Sequence, residues 1–338
     1  MFQRESFESG RFEPWIKPYI STEEHRARID IAQQRLDALH SDPEWQEAVA
    51  PCSPNTTLSV FVVNPESQDS GAHFRRRGAD ALNDVEFARK DGDDPRETIA
   101  KFARFADTDI RVAVVAHNEA RRSEMVSAVR LVRYTPETSS PAVDSIVETW
   151  GRQPHEALAN VKLPNGLPAT EILSHPGVYD LSLASTAAHW TVGVNRRGSQ
   201  ALMALYKASL AIIASRGGQY IIGAMDVDGV FKQLYGRGSN AWVDAFPDDH
   251  RTVQSSVEGS NVSTFAICDA YQWRWDHRHT PSRRFRYGML WGTDLDSRGV
   301  AFHNLSGGAL VVPNSLQSYY NTNVMDPAAS HQSPDKSH

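Results

Sequence analysis

The spacing of apolar and polar positions divides the chain into a helical start, a strand-rich centre and a polar end. Ser21 and Glu24 stand at capping-box spacing, and Ala27, Ile29, Ile31, Leu36 and Leu39 give the following segment an apolar stripe, which predicts a helix. Asp42 and Pro43 supply a cap and a first-turn proline for a second short helix through Trp45 and Val49. Residues 58–63 (LSVFVV) are β-branched and aromatic and are closed by Asn64-Pro65, so they predict the first strand. Helices are expected at 79–89 and, behind the cap Asp94, at 95–105. Residues 110–116 and 125–134 read as strands joined by the polar turn 117–124, a hairpin. The pattern is irregular over 136–177 apart from a helix near 143–150, which predicts a long insertion. A strand at 178–185 follows. The helix expected over 198–216 is apolar almost all round, through Ala201, Leu202, Leu205, Ala208, Ile212 and Ile213, and is stopped by Gly217-Gly218, so it must be buried. A strand at 219–225, a short helix at 227–235 and strands at 241–246 and 264–270 complete the series.

With 338 residues, 40% hydrophobic and 22% charged, the chain can bury a large core. The formal net charge of −6 argues against a generally basic surface, so nucleic acid is not an expected partner. Cys52 and Cys268 are the only cysteines, which excludes a disulfide framework and a Cys-rich zinc site and fits a cytoplasmic location. Residues 1–17 lack the apolar stretch of a signal peptide, and no run of about 18 apolar residues exists to span a bilayer, so no membrane partner is expected. Residues 325–338 are too polar to bury and read as a frayed tail.

The order β, α, α, β, β, β, α, β, α, β, β over 58–270 resembles the core of the GNAT acyltransferase superfamily. Local residues narrow the likeness. Phe87-Ala88-Arg89, Asp91, Asp93, Val129-Arg130-Leu131 and Tyr179-Asp180-Leu181-Ser182 resemble the autoinducer-synthase and N-acyl amino acid synthase branch. There a strand ending in Arg-Leu precedes a long insertion, and a later strand carries aromatic-Glu-x-Ser-Arg. Asp180 stands where that branch has Glu, and Leu183 where it has Arg. The resemblance implies an α/β (α+β) fold with a GNAT-like mixed central sheet flanked by helices. The division that follows is a helical extension at 1–57, a core at 58–275 with the insertion 136–177, a C-terminal extension at 276–324 and the tail.

The implied activity is N-acyl transfer from an acyl carrier protein or acyl-CoA thioester to an amino acid or related amine. No tightly bound cofactor is implied, the acyl-CoA or phosphopantetheine-linked thioester being a cosubstrate. Two other readings stand beside it: a non-catalytic module that binds an acyl carrier or ligand, and a thioester hydrolase or decarboxylase on the same fold. The superfamily's acyl-carrier loop is matched by Arg196-Arg197-Gly198-Ser199-Gln200-Ala201, with Ser199 where the spacing wants Gly. Backbone N–H groups of Arg196, Arg197, Gly198 and Ser199 at the start of a buried helix would point at a phosphate, and the arginines would add charge-assisted bonds. The alternative is a solvated basic turn.

Aminolysis of a thioester needs a base, and Asp180, on the one polar face of its strand with Ser182, is the first candidate, a structurally paired carboxylate being the alternative. His189 is the second candidate base and otherwise a loop residue. Arg130 would pair with an acceptor carboxylate, or else with Asp91, Asp93 or Glu148. Ser182 would contact substrate. Phe231 falls where the family's thiolate-protonating tyrosine would be, which leaves Tyr235, one turn on, as the candidate acid. His277 and His279 lack a Glu or Cys at ligand spacing, and Asp226 to Gly229 caps a helix without the later ligands of a calcium loop, so no metal is expected. Arg283, Arg284 and Arg286 read as a solvated face, or as a dock for an acidic carrier protein.

Overall fold

The computed structural model describes residues 20–66, 70–118, 122–163, 165–187, 196–226, 242–249, 251–254, 260–270 and 299–304. Helix α1 (Thr22–Ser41) starts as its capping box predicts, with Ser21 Oγ accepting from the Glu24 N–H at 3.1 Å. Asp42 then caps α2 (Pro43–Ala48) through the Glu44 N–H at 2.9 Å. Strand β1 (Leu58–Val63) leads into α3 (Ser70–Asp91) and α4 (Pro95–Ala103), the latter capped by Asp94. Helix α3 begins at Ser70, well ahead of the expected 79. The run Arg75-Arg76-Arg77 hides this first part from a hydrophobicity pattern, because the Arg75 and Arg76 guanidiniums reach back to the carbonyls of Ala48 (2.9 Å) and Pro65 (2.6 Å).

The hairpin forms as β2 (Ile110–His117) and β3 (Ser123–Arg133). The insertion carries α5 (Pro141–Trp150), α6 (Pro154–Leu158) and a 3-10 turn at Ala169–Ser174. Then come β4 (Val178–Thr186), α7 (Arg196–Ser215), β5 (Tyr220–Asp226), β6 (Trp242–Asp244), β7 (Arg251–Gln254), β8 (Ser260–Asp269) and β9 (Val300–Asn304). The helix expected at 227–235 lies outside the described residues.

These strands make one nine-stranded mixed sheet in the order β6-β8-β5-β4-β3-β2-β1-β9, with β7 also on β8. Strands β1 to β4 pair antiparallel, β4 and β5 parallel, and β8 antiparallel to β5 and β6. The expected mixed α/β class is therefore what forms. Every residue of β1 and β2 is buried, and both α3 and α7 pack on these strands, so both faces of this half of the sheet are covered. A second apolar cluster, including Ile146, Trp150, Leu158, Ile172, Phe246 and Phe265, seats the insertion on the β5 and β8 half. Trp150 Nε1 donates to the Asp249 carbonyl at 2.9 Å.

The stretch 276–324, expected outside the core, supplies β9, which lies parallel to β1 and covers its edge. Gly299 makes the entry turn at φ 75°, and its carbonyl accepts from the Thr57 N–H at 2.7 Å; a Cβ there would lie 2.4 Å from the Asn55 carbonyl oxygen. A string of polar side chains crosses the same edge. His117 holds Ser59 Oγ and Ser123 Oγ, each at 2.8 Å, and His303 of β9 lies 3.3 Å from the same Ser59 hydroxyl.

Burial, with His303 as a lesser cause, lowers the His117 pKa to about 4 from 6.5. A depressed histidine contributes stability that is present above its ordinary value and is lost as pH falls through the folded one, so the window runs from about 6.5 down to about 4. Urea denaturation should show the wild type losing roughly 3 kcal/mol across that window through this group. His117→Gln, which cannot protonate, should lose correspondingly less, and an acid response equal to wild type would contradict the assignment.

Candidate active site

Strands β4 and β5 are paired only at Val178↔Tyr220, Tyr179↔Ile221 and Asp180↔Ile222. Beyond Asp180 they part, β4 staying with β3 and β5 with β8, so the sheet opens into a fork. On the β3 side the register shifts at the same place. Arg130 faces Leu183 while Val132 faces Asp180, so two steps on β3 span three on β4, and the extra residue lies at Leu181-Ser182.

Two side chains take up backbone groups at this point. Ser182 stands where it would have paired with Ala224 had the strands continued in register, and its Oγ accepts the Ala224 N–H at 3.0 Å. Asp180 Oδ1 accepts the Ser182 N–H at 2.6 Å, and its Oδ2 accepts the Ala142 N–H, in the first turn of α5, also at 2.6 Å. The insertion is thereby tied to the fork. Burial pushes the Asp180 pKa up, opposed by the bonds from Ser182, Ala142 and Ser140. Past the bulge, Ser182, Ala184 and Thr186 are partly exposed, as is Ala224 on β5.

This geometry corrects two expectations. A base must reach substrate, yet Asp180 is 1% exposed with both oxygens holding backbone N–H groups, which makes it the anchor of the fork. Arg130 is buried too. Its Nε pairs with Asp109 and its Nη2 donates to the Phe102 carbonyl at 2.9 Å, so its fork is filled from within the chain and its partner is none of Asp91, Asp93 and Glu148. Asp109, fully buried, also holds Arg111 at 2.6 Å, and Arg111 reaches Asp80 at 3.1 Å. Asp109 carries a signal that could have been read: it precedes Arg111 by two residues at a strand start, which puts both on one face.

Arg196, Arg197, Gly198 and Ser199 form the first turn of α7, which follows β4 in the chain. His189, Tyr235, His277, His279, Arg283, Arg284 and Arg286 lie outside the described residues. Among the described residues no group of three or more His, Cys, Asp or Glu is placed to hold a metal ion, and no helix is long and apolar enough to cross a membrane.

Among the described residues the order β1, α3, α4, β2, β3, β4, α7, β5, with the helical insertion between β3 and β4, is that of the expected core. The fold is GNAT-like. No family model matches the chain, and no curated protein matches it. Similar solved structures include TofI in a ternary complex with an inhibitor and MTA (15% identity, 47% of this chain and 64% of that one, TM-score 0.27). The AHL synthase LasI aligns at 11% identity over 64% of this chain and 91% of its own, with a TM-score of 0.40. BjaI, a CoA-dependent acyl-homoserine lactone synthase solved with SAM and isopentyl-CoA, aligns at 13% identity over 78% and 99%, with a TM-score of 0.36. These are partial likenesses, and the functional reading rests on this chain's own strands and side chains.

Asp180→Asn offers one acceptor oxygen to two backbone donors and turns an N–H₂ towards the other. Denaturant unfolding should show a loss of about 1–3 kcal/mol. Unchanged stability would return Asp180 to the role of base.

Proposed function

We propose that the protein is an N-acyltransferase that moves an acyl group from a coenzyme A or acyl-carrier-protein thioester to an amino acid or related amine. The observation that carries this reading is the fork: two strand edges that part inside a covered sheet, beside a bulge held open by Asp180 and Ser182. Parted edges present backbone N–H and C=O groups to an extended, amide-bearing chain, which can add to them as a strand would. A phosphopantetheine arm has that chemistry. Its phosphate end would lie at the start of α7, where the N–H groups of Arg196, Arg197, Gly198 and Ser199 and the helix dipole favour an anion.

With the arm in the fork, the thioester carbonyl lies among backbone donors fixed before substrate arrives, which is where a developing oxyanion is stabilised most cheaply. The amine attacks the carbonyl carbon, the tetrahedral adduct collapses, and the C–S bond breaks with its electron pair on sulfur. His189, in the connection from β4 to α7, is the proposed base that takes the proton from the attacking ammonium, and Tyr235 the proposed donor of the proton the thiolate takes.

Intact-mass analysis of a purified acyl carrier protein and of acyl-CoA, each incubated with the protein and a panel of amino acids and amines, tests the reading. Transfer predicts loss of the acyl mass together with a new amide, and Arg196→Ala with Arg197→Ala should raise the donor KM by tenfold or more, the loss of about 1.5–3 kcal/mol per charged hydrogen bond. Acyl loss without an amide would replace transfer by hydrolysis, and an untouched thioester that still binds would make the protein a carrier-binding module.

A further inference from the structure

On β5, where the two strand edges have parted, Gly223 leaves a gap that another residue fills. A Cβ at Gly223 would lie 2.8 Å from Cε and 3.4 Å from Cγ of Met225. The two residues are two apart on the strand and share a face, so the Met225 side chain is laid back over the bare backbone of Gly223. A glycine inside a strand forgoes side-chain packing and often marks the close approach of a ligand or of another backbone. Among the described residues no other backbone comes that near, since the three nearest atoms to such a Cβ all belong to Met225.

The surroundings are apolar. Met225 is 8% exposed and belongs to one hydrophobic cluster with Leu181 of the bulge and Ala201 and Leu205 of α7, against which Ala184 of β4 also packs. Leu181 and Ala184 lie on the parted segment of β4, as Met225 does on that of β5. Both edges of the fork therefore send side chains into the same apolar cluster, which suits a hydrocarbon and not an ammonium or a carboxylate. Within this lining Met225 is the movable member. Its unbranched side chain turns about three bonds and fills irregular gaps, so it can vacate the one over Gly223 when another chain enters. Doing so frees room for about three methylene-sized groups, those beyond its Cβ.

Resting on the acyl-transfer reading, we propose that the gap over Gly223 is the seat of the donor's acyl chain and that Met225 is the plug that sets how long a chain it takes. A thioester held at the bulge directs its hydrocarbon between the β4 and β5 edges, and a straight chain displaces the Met225 thioether from Gly223 until the room is used up. Met225 touches the acyl chain and takes no part in moving protons.

The test is calorimetric binding of a graded series of straight-chain, unreactive thioethers, carried on coenzyme A and on a purified acyl carrier protein, to wild type, Met225→Ala, Gly223→Ala and the double variant. In wild type each added methylene should tighten binding about fourfold up to a limiting length, beyond which the gain stops. Met225→Ala should raise that limit by about three methylenes. Gly223→Ala sets a methyl against the Met225 Cε and pushes the plug into the fork, so its limit should fall. In the double variant the plug is gone, and the limit should lie close to that of Met225→Ala. If Met225→Ala does not fold, Gly223→Ala decides alone, because it displaces only the flexible end of one side chain. A limit that the folded variants leave in place overturns the proposal, as does wild-type affinity that is the same at every chain length, although the donor would then still bind. Wild type that binds none of the thioethers would instead remove the acyl-transfer reading, and this one with it.

Discussion

Two parallel strands that separate inside a covered sheet leave N–H and C=O groups without partners, and each such group costs about 1–3 kcal/mol if nothing replaces the bond. Between β4 and β5 the replacement is made by Asp180 and Ser182. The carboxylate takes the N–H of the bulge and the N–H at the head of α5, and the hydroxyl takes the N–H of Ala224. Because the same carboxylate holds both the strand and the insertion, the opening of the sheet and the placing of α5 are one event. The fork is therefore a built opening with fixed edges, which is what binding an extended acyl carrier in one register requires.

Around that opening the charges are sorted by how they are satisfied. Asp109, Arg111 and Arg130 form a buried group in which each ion has an opposite neighbour, the condition under which buried charge is tolerated. The polar string Ser123, His117, Ser59 and His303 fastens β9 to the edge of β1.

Much of the architecture was legible in the sequence because its elements announce themselves locally. Ser21 and Glu24, Asp42 with Pro43, and Asp94 mark helix starts, and the runs at 58–63, 110–116 and 178–185 are dense in strand formers. Where the reading failed, partners distant in sequence decide the outcome. The first turns of α3 are polar along the chain and are fixed by carbonyls of Ala48 and Pro65. β9 is a five-residue stretch whose pairing with β1 no local pattern specifies. The site followed the same rule. Strand alternation placed Asp180 and Ser182 together, but the backbone donor Ala142, 38 residues before Asp180, converts a candidate base into an anchor. Asp109 does the same to Arg130 from 21 residues away.

The central claim, that the donor arm lies between the parted edges of β4 and β5, is tested most directly by hydrogen–deuterium exchange with a non-hydrolysable acyl-CoA thioether. Bound ligand should slow amide exchange over 181–186 and 223–226, the two parted segments, and in the first turn of α7, while β1, β2 and β9 keep their free-state rates. Saturable binding that leaves both parted segments unprotected, or that protects the β1–β9 edge instead, would contradict it.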